Sequence, residues 1–143
     1  MSTIEKAIAL AATAHAGQLD KGGQPYILHP LRVMFRVATD EQRMAAVLHD
    51  IVEDTSVTFE DLEAQGFPAP VVEAVRALTK LPGESRLAAA ERAAANPIAL
   101  AVKLADNAEN MDLSRIANPT EKDFARLREY EAVRELLLAR SAT

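Results

Sequence analysis

Cysteine is absent from the 143 residues, and so is tryptophan. The first absence excludes disulfides, thiol nucleophiles and zinc–cysteine sites, and it suits a reducing compartment, so the expected location is the cytoplasm. Aromatic residues make up only 4% of the chain although 49% of it is hydrophobic. Any interior must therefore be built by close packing of small aliphatic side chains. No apolar run approaches the roughly 18 residues that would span a bilayer. The opening Met1-Ser2-Thr3-Ile4-Glu5-Lys6 lacks the basic-then-apolar layout of a secretory signal. A large basic surface is missing as well. Net charge is −5 and the lysines and arginines are scattered, which argues against a nucleic acid or an anionic membrane as partner. Any anionic ligand has to be met locally, by a metal ion and a few cations.

What the chain does have is Ala, Leu, Glu and Arg in abundance, and few β-branched runs, which favours helices. Its length suits one domain over residues 1–143 with a real core. A first helix is expected from about Thr3 to Ala16, with Ile4, Ala7, Ile8, Ala11, Ala12 and His15 on one stripe. Gly17, Gly22, Gly23 and Pro25 mark an irregular loop from Gln18 to Leu28. Pro30 can occupy the first turn of a second helix running to about Thr39, which leaves His29 near its N-cap. Asp40 can cap a third, which carries His49 and Asp50. Thr58 followed by Asp61 has capping-box character and opens a short helix ending near Gly66. Further helices are expected from about Pro70 to Leu81, from Glu84 to Ala95 and from Ile98 to Met111. A last one follows Thr120, with Phe124, Leu127, Tyr130, Val133, Leu136 and Leu137 as its apolar stripe. The fold class is all-α, a compact helical bundle in a single domain.

Within this pattern a few residues are out of place. His49 and Asp50 stand together inside the apolar run Ala45-Ala46-Val47-Leu48, and burying either without a partner costs several kcal/mol. A divalent metal satisfies both, through an imidazole nitrogen and a carboxylate oxygen. Glu53, at i+4 from His49 and i+3 from Asp50, is expected on the same helical face, and Asp54 follows it. His29 precedes Pro30 and is held at a helix entrance. Asp106 sits in a segment that is apolar nearly all round (Ile98, Leu100, Ala101, Val102, Leu104, Ala105), so it should be buried and need a cation, either Lys103 or a metal. Asn110 lies one turn further on the same face. From the residues alone a satisfied core histidine beside a Lys103–Asp106 pair stays open.

The words around these residues narrow the reading. Ala14-His15-Ala16-Gly17-Gln18, Lys21-Gly22-Gly23-Gln24-Pro25-Tyr26-Ile27-Leu28-His29-Pro30, His49-Asp50-Ile51-Val52-Glu53-Asp54-Thr55, Leu78-Thr79-Lys80 and Val102-Lys103-Leu104-Ala105-Asp106-Asn107-Ala108-Glu109-Asn110-Met111 follow one another in order. This set resembles the HD-domain metal-dependent phosphohydrolases. More narrowly it is similar to the hydrolase domain of the Rel/SpoT alarmone enzymes and to the stand-alone small alarmone hydrolases. The resemblance runs from about Ile4 to Leu113.

It implies one metal, manganese, held by His29, His49, Asp50 and Asp106. Glu53 and Asp54 would orient water and carry protons, and Lys21, Tyr26 and Asn110 would contact the nucleotide. The implied activity is hydrolysis of the 3′-pyrophosphate of (p)ppGpp to GDP or GTP and pyrophosphate, with a small-molecule nucleotide as partner. Where the alarmone enzymes usually carry Arg-Lys, this chain has Asp20-Lys21, a carboxylate expected to face the nucleotide. Asn107 and Glu109 also depart from the family pattern. Another phosphorylated nucleotide as substrate (an adenosine alarmone, NADPH or a nucleoside monophosphate) therefore stays open, as does a nucleotide-sensing module. Retention of both Glu53 and Asp54 counts against a mere binder. A homo-oligomer is compatible with the sequence and not specified by it.

Overall fold

The computed structural model describes residues 3–114 and 116–141; Met1, Ser2, Arg115, Ala142 and Thr143, which fall within the expected domain 1–143, lie outside the described residues. Nine helices form among the described residues, and no strand: α1 (Ile4–Ala14), α2 (Leu28–Phe35), α3 (Asp40–Leu48), α4 (Ile51–Asp54), α5 (Phe59–Ala64), α6 (Ala69–Leu78), α7 (Arg86–Ala94), α8 (Pro97–Asn110) and α9 (Glu121–Ser141). The all-α class expected from composition is what forms.

Helix α3 is the centre. Met44, Ala45, Ala46, Val47 and Leu48 are all buried, because α1, α2, α6 and α8 pack around it. The small side chains allow this crowding: Ala7 and Ala11 of α1, Ala74 of α6 and Ala99 of α8 are fully buried in the same core. A second, smaller apolar cluster joins Ala90 of α7 to Val133 and Leu137 of α9, with Leu100 and Leu104 of α8 against it. Of the stripe expected on the last helix, Val133 and Leu137 are buried, whereas Phe124 is 46% exposed.

Several boundaries are set by short-range hydrogen bonds. Thr58 and Asp61 form the expected capping box, side chain to backbone in both directions. At the other end of α5, Gly66 takes φ +84°, its N–H bonds to the Glu63 carbonyl, and the Phe67 N–H bonds back to Leu62. That is a Schellman end, with Phe67 and Leu62 both buried as its apolar contact. The cap of α3 is Thr39 rather than Asp40: Thr39 and Gln42 make a reciprocal box, and Asp40 occupies the first turn, where a carboxylate suits the helix dipole. Helix α2 begins at Leu28 and ends at Phe35, so His29 and Pro30 lie inside its first turn. There the missing proline N–H costs nothing, since those donors have no helical acceptor anyway.

The expectation of one continuous helix through His49 and Asp50 is not met. Helix α3 stops at Leu48 and α4 restarts at Ile51. The Ala46 carbonyl, which would accept the Asp50 N–H in a continued helix, is taken by His49: its ring Nδ1 lies at 2.5 Å and its backbone N–H at 3.4 Å. Asp50 consequently adopts φ −104°, ψ 2°, the sparsely allowed region that often holds functional residues.

Candidate metal centre and its two pockets

Four elements deliver the polar residues of the centre. His29 comes from the first turn of α2, His49 and Asp50 from the break between α3 and α4, and Asp106 from the last turns of α8. His29 Nε2 lies 2.8 Å from Asp106 Oδ1, and His49 Nε2 lies 3.4 Å from the same oxygen and 3.0 Å from Asp50 Oδ2. One ligand atom from each of His29, His49 and Asp106 falls within 4.8 Å of the others, and all three residues are buried. The two rings stand nearly edge to face, centroids 5.6 Å apart.

Hydrogen bonds from behind orient each of these groups. His49 Nδ1 sits 2.5 Å from the Ala46 carbonyl, so that nitrogen carries the proton and Nε2 turns to the cluster. The Tyr26 hydroxyl donates to Asp50 Oδ2. Asn110 Nδ2 donates to Asp106 Oδ1 at 3.3 Å, and Lys103 Nζ stands 3.6 Å from Asp106 Oδ2. The pair expected between Lys103 and Asp106 thus exists, but it meets only one side of the carboxylate.

The arrangement fits a cation between these groups. His49 Nε2 is buried and makes no hydrogen bond of acceptable geometry, yet two carboxylate oxygens crowd it. Burial alone presses the imidazole toward neutrality, but Asp50 and Asp106 overcome it and raise its pKa well above the ordinary histidine range. Burial likewise opposes ionisation of Asp106, and the charge of the facing His49 and the bond from His29 hold its pKa well below the usual value. A site that so favours positive charge at its centre, with nitrogen and oxygen donors, suits a divalent metal.

Two pockets meet at the cluster and share only Asp50 and Asp106. The larger, about 370 Å³, is lined by Lys21, Tyr26, His29 and Asn110 and by Asp20 in the folded-back loop. The smaller, about 230 Å³, is lined by His49, Glu53, Lys80, Arg86 and Lys103. Glu53 therefore faces the same cavity as His49 despite the helix break. Its pKa is raised, first by burial and then by Asp50 and Asp54. Asp54 takes the other direction: its carboxylate bonds to Gln18 and feels His15, and burial followed by Asp50 raises its pKa too. His15 stays outside the cluster, buried, with Nδ1 2.9 Å from Gln18 and its ring 5.0 Å from that of Tyr26.

Asp20 does not simply extend toward a ligand. Its Oδ1 accepts from the Gly22 and Gln24 amides at 2.9 Å, closing a turn that Gly23 completes at φ +82°. Its Oδ2 lies 4.0 Å from Arg32, and Arg32 and Arg36 both pair with the buried Glu109, at 3.3 and 2.5 Å. The other unusual residue, Asn107, donates to the Tyr130 carbonyl at 3.0 Å and ties α8 to α9. Sequence reasoning missed Arg32 and Arg86, and gave Lys80 only within the word Leu78-Thr79-Lys80, with no place in the site. The signal for Arg32 was its i,i+4 spacing with Arg36 opposite an acidic residue on a buried helix.

The sequence matches the family model described as "HD domain" over residues 7–142. The chain belongs to the HD-domain family. HD domains are metal-dependent, and among the described residues His29, His49 and Asp106 form a group that could hold the ion. Among curated relatives, the "Bifunctional (p)ppGpp synthase/hydrolase SpoT" of Escherichia coli (strain K12) is 42% identical over 82 residues, which cover 54% of this HD-domain chain and 12% of that protein. The "Probable GTP pyrophosphokinase" of Mycobacterium leprae is 35% identical over 142 residues, 90% of this chain and 18% of that protein. The chain thus spans less than a fifth of the length of these relatives. A solved structure described as "A metazoan ortholog of SpoT hydrolyzes ppGpp and plays a role in starvation responses" superposes with TM-score 0.78 at 27% identity, covering 98% of this chain and 85% of that one.

Proposed function

We propose that this chain is a metal-dependent phosphohydrolase that removes the 3′-pyrophosphate of (p)ppGpp, releasing GDP or GTP and pyrophosphate, in the cytoplasm and as a single domain over residues 1–143. The observation that carries this reading is the convergence of His29, His49, Asp50 and Asp106 on the orphaned Nε2 of His49, at the junction of two pockets. The names of its relatives supply the nucleotide: SpoT is a (p)ppGpp synthase/hydrolase and the metazoan neighbour hydrolyses ppGpp.

In this reading the four residues hold one divalent ion, manganese, which when bound draws charge from the phosphoryl oxygens and lowers the pKa of water. The remaining chemistry belongs to side chains. Lys21, Tyr26 and Asn110 line the larger pocket and receive the nucleoside end. Glu53, on the opposite side, orients the attacking water and takes its proton as the new oxygen–phosphorus bond forms. The bond from the 3′ oxygen to phosphorus breaks, the 3′ oxygen takes a proton from water in the larger pocket, pyrophosphate departs, and Glu53 returns its proton to solvent. Asp54 holds Gln18 and with it the loop carrying Lys21. Tyr26, Asn110 and the Ala46 carbonyl fix the ligands in orientation.

The second reading is the same hydrolysis of an adenosine alarmone, NADPH or a nucleoside monophosphate, and Asp20 at the edge of the larger pocket favours it. Incubating the protein with manganese and a panel of these nucleotides, then separating products, tests both. The expected result is GDP and pyrophosphate from ppGpp, lost on chelation and restored by manganese. Turnover of a different nucleotide alone selects the second reading, and binding without turnover of any member overturns both. Because one relative is named a pyrophosphokinase, GTP with ATP belongs in the panel, with no alarmone synthesis expected.

A further inference from the structure

Gln18, Leu19, Asp20, Lys21 and Tyr26, all from one loop, form a wall of the larger pocket. The loop is folded back on itself. The Tyr26 N–H bonds to the Gln18 carbonyl at 2.8 Å, Leu19 and Pro25 pair as an isolated antiparallel bridge, and the Asp20 N–H bonds to the Gln24 carbonyl at 2.8 Å. Gly22 and Gly23 stand at its tip, and glycines give an unfolded or unfastened segment many alternatives. The tip therefore needs a fastening.

Asp20 supplies it. A carboxylate beside Lys21, at the mouth of a pocket for an anionic nucleotide, should by charge alone turn outward and repel. Its side chain turns inward instead and is only 11% exposed. One oxygen holds the Gly22 and Gln24 amides, while the Gly23 N–H returns to the Asp20 carbonyl at 3.1 Å. The other oxygen faces Arg32, which is set in turn against Glu109. The tip is thus tied to α2 and α8, the helices that carry His29 and Asp106.

We propose that Asp20 is a positioning residue: it acts on the nucleotide through Lys21 and the pocket wall, by holding the loop in its binding form before the ligand arrives. The proposal rests on the hydrolase reading, which seats the nucleoside end in the larger pocket, and deepens it. Two effects of the carboxylate oppose each other. Its repulsion of an anion is about fivefold in affinity for unit charges roughly 4 Å apart in water, and Arg32 offsets part of it. Without its two amide bonds the ligand itself must order the loop, and that cost comes out of affinity. A hydrogen bond to a charged group is worth about tenfold or more, so two of them outweigh the repulsion. Taking a negative charge away from this mouth therefore weakens the binding of an anion.

Calorimetric titration of GDP into the full chain at fixed ionic strength tests this without turnover. Asp20→Ala is expected to weaken GDP binding about tenfold. Asp20→Asn keeps an oxygen for the Gly22 and Gln24 amides and should recover most of that affinity. Asp20→Arg brings a cation to the mouth but loses the turn and faces Arg32 with a like charge, so it too should bind GDP about tenfold more weakly than the parent. With ppGpp as substrate the same losses should appear in KM, with kcat nearly unchanged. Urea melts separate positioning from folding: a merely structural residue would lower the midpoint and leave GDP affinity at the parent value. Tighter GDP binding by Asp20→Ala or Asp20→Arg, equal weakening by Asp20→Asn and Asp20→Ala, or no GDP binding by the parent overturns the proposal. The expected GDP losses in a chain that hydrolyses no nucleotide support the positioning role and overturn the hydrolase reading. Turnover of ppGpp with KM unmoved in Asp20→Ala overturns the positioning role alone.

Discussion

The proton on His49 Nδ1 decides what the other ring nitrogen can do. Because Nδ1 donates to the Ala46 carbonyl, Nε2 is the nitrogen that faces the aspartates, and it is the one that would give its lone pair to a bound ion. His49→Ala should therefore lose the metal, read as metal content after dialysis. It should also lose roughly 3–5 kcal/mol of stability in denaturant melts, since Asp50 and Asp106 are left facing each other in a buried site. Tyr26→Phe removes a donor and no ligand, and metal affinity should fall about 10- to 100-fold with the fold intact; an unchanged affinity would show that Asp50 needs no support. Glu53→Gln separates chemistry from assembly. Half-exposed and outside the ligand set, it should keep its fold and metal while turnover drops about a hundredfold. Turnover at the parent rate would remove Glu53 from the reaction.

At the scale of elements, the turn between α6 and α7 is held by charge. The Arg92 guanidinium and the Leu81 amide hold the Glu84 carboxyl down to about 2, from an ordinary value of 4.5. A depressed carboxylate contributes stability that is complete above its unfolded pKa and disappears as pH falls through the folded one. Glu84→Gln should thus cost stability by a constant amount above about pH 5, and the gap to the parent should close as pH is lowered toward 2. Paired urea melts across that range check it, and a gap that instead widens in acid would mean the pair is not what holds the turn. Elements of this kind differ in how far the sequence reveals them. The Thr58–Asp61 box and the Gly66 ending are legible because their hydrogen bonds close within a few residues. The break at His49–Asp50 is not, since it depends on a side chain competing for a backbone carbonyl and on Tyr26 arriving from another segment. His29, His49, Asp50 and Asp106 stood out as polar residues in apolar surroundings. The place of Lys80 and Arg86 beside them did not, because lysine and arginine are ordinary surface residues until packing of α6, α7 and α8 brings them to one cavity.

For the molecule as a whole, the helices divide the work. Helices α1, α2, α3, α6 and α8 share the main core, and α2, α8 and the break after α3 bring His29, Asp106, His49 and Asp50 together, while α9 packs through a separate small cluster on α7 and α8. Among the described residues no helix is long and apolar enough to cross a membrane. The centre lies between two openings rather than at the end of one, and this has a kinetic meaning. Under the proposed hydrolysis the two products would not queue behind each other: the guanosine nucleotide would leave through the larger mouth and pyrophosphate through the smaller. Release in random order makes each product a competitive inhibitor against the alarmone, whereas a single exit would impose a sequence and make the first product out a noncompetitive one. Initial-rate measurements with GDP and with pyrophosphate added separately distinguish the two patterns, and competitive inhibition by both is the expected result.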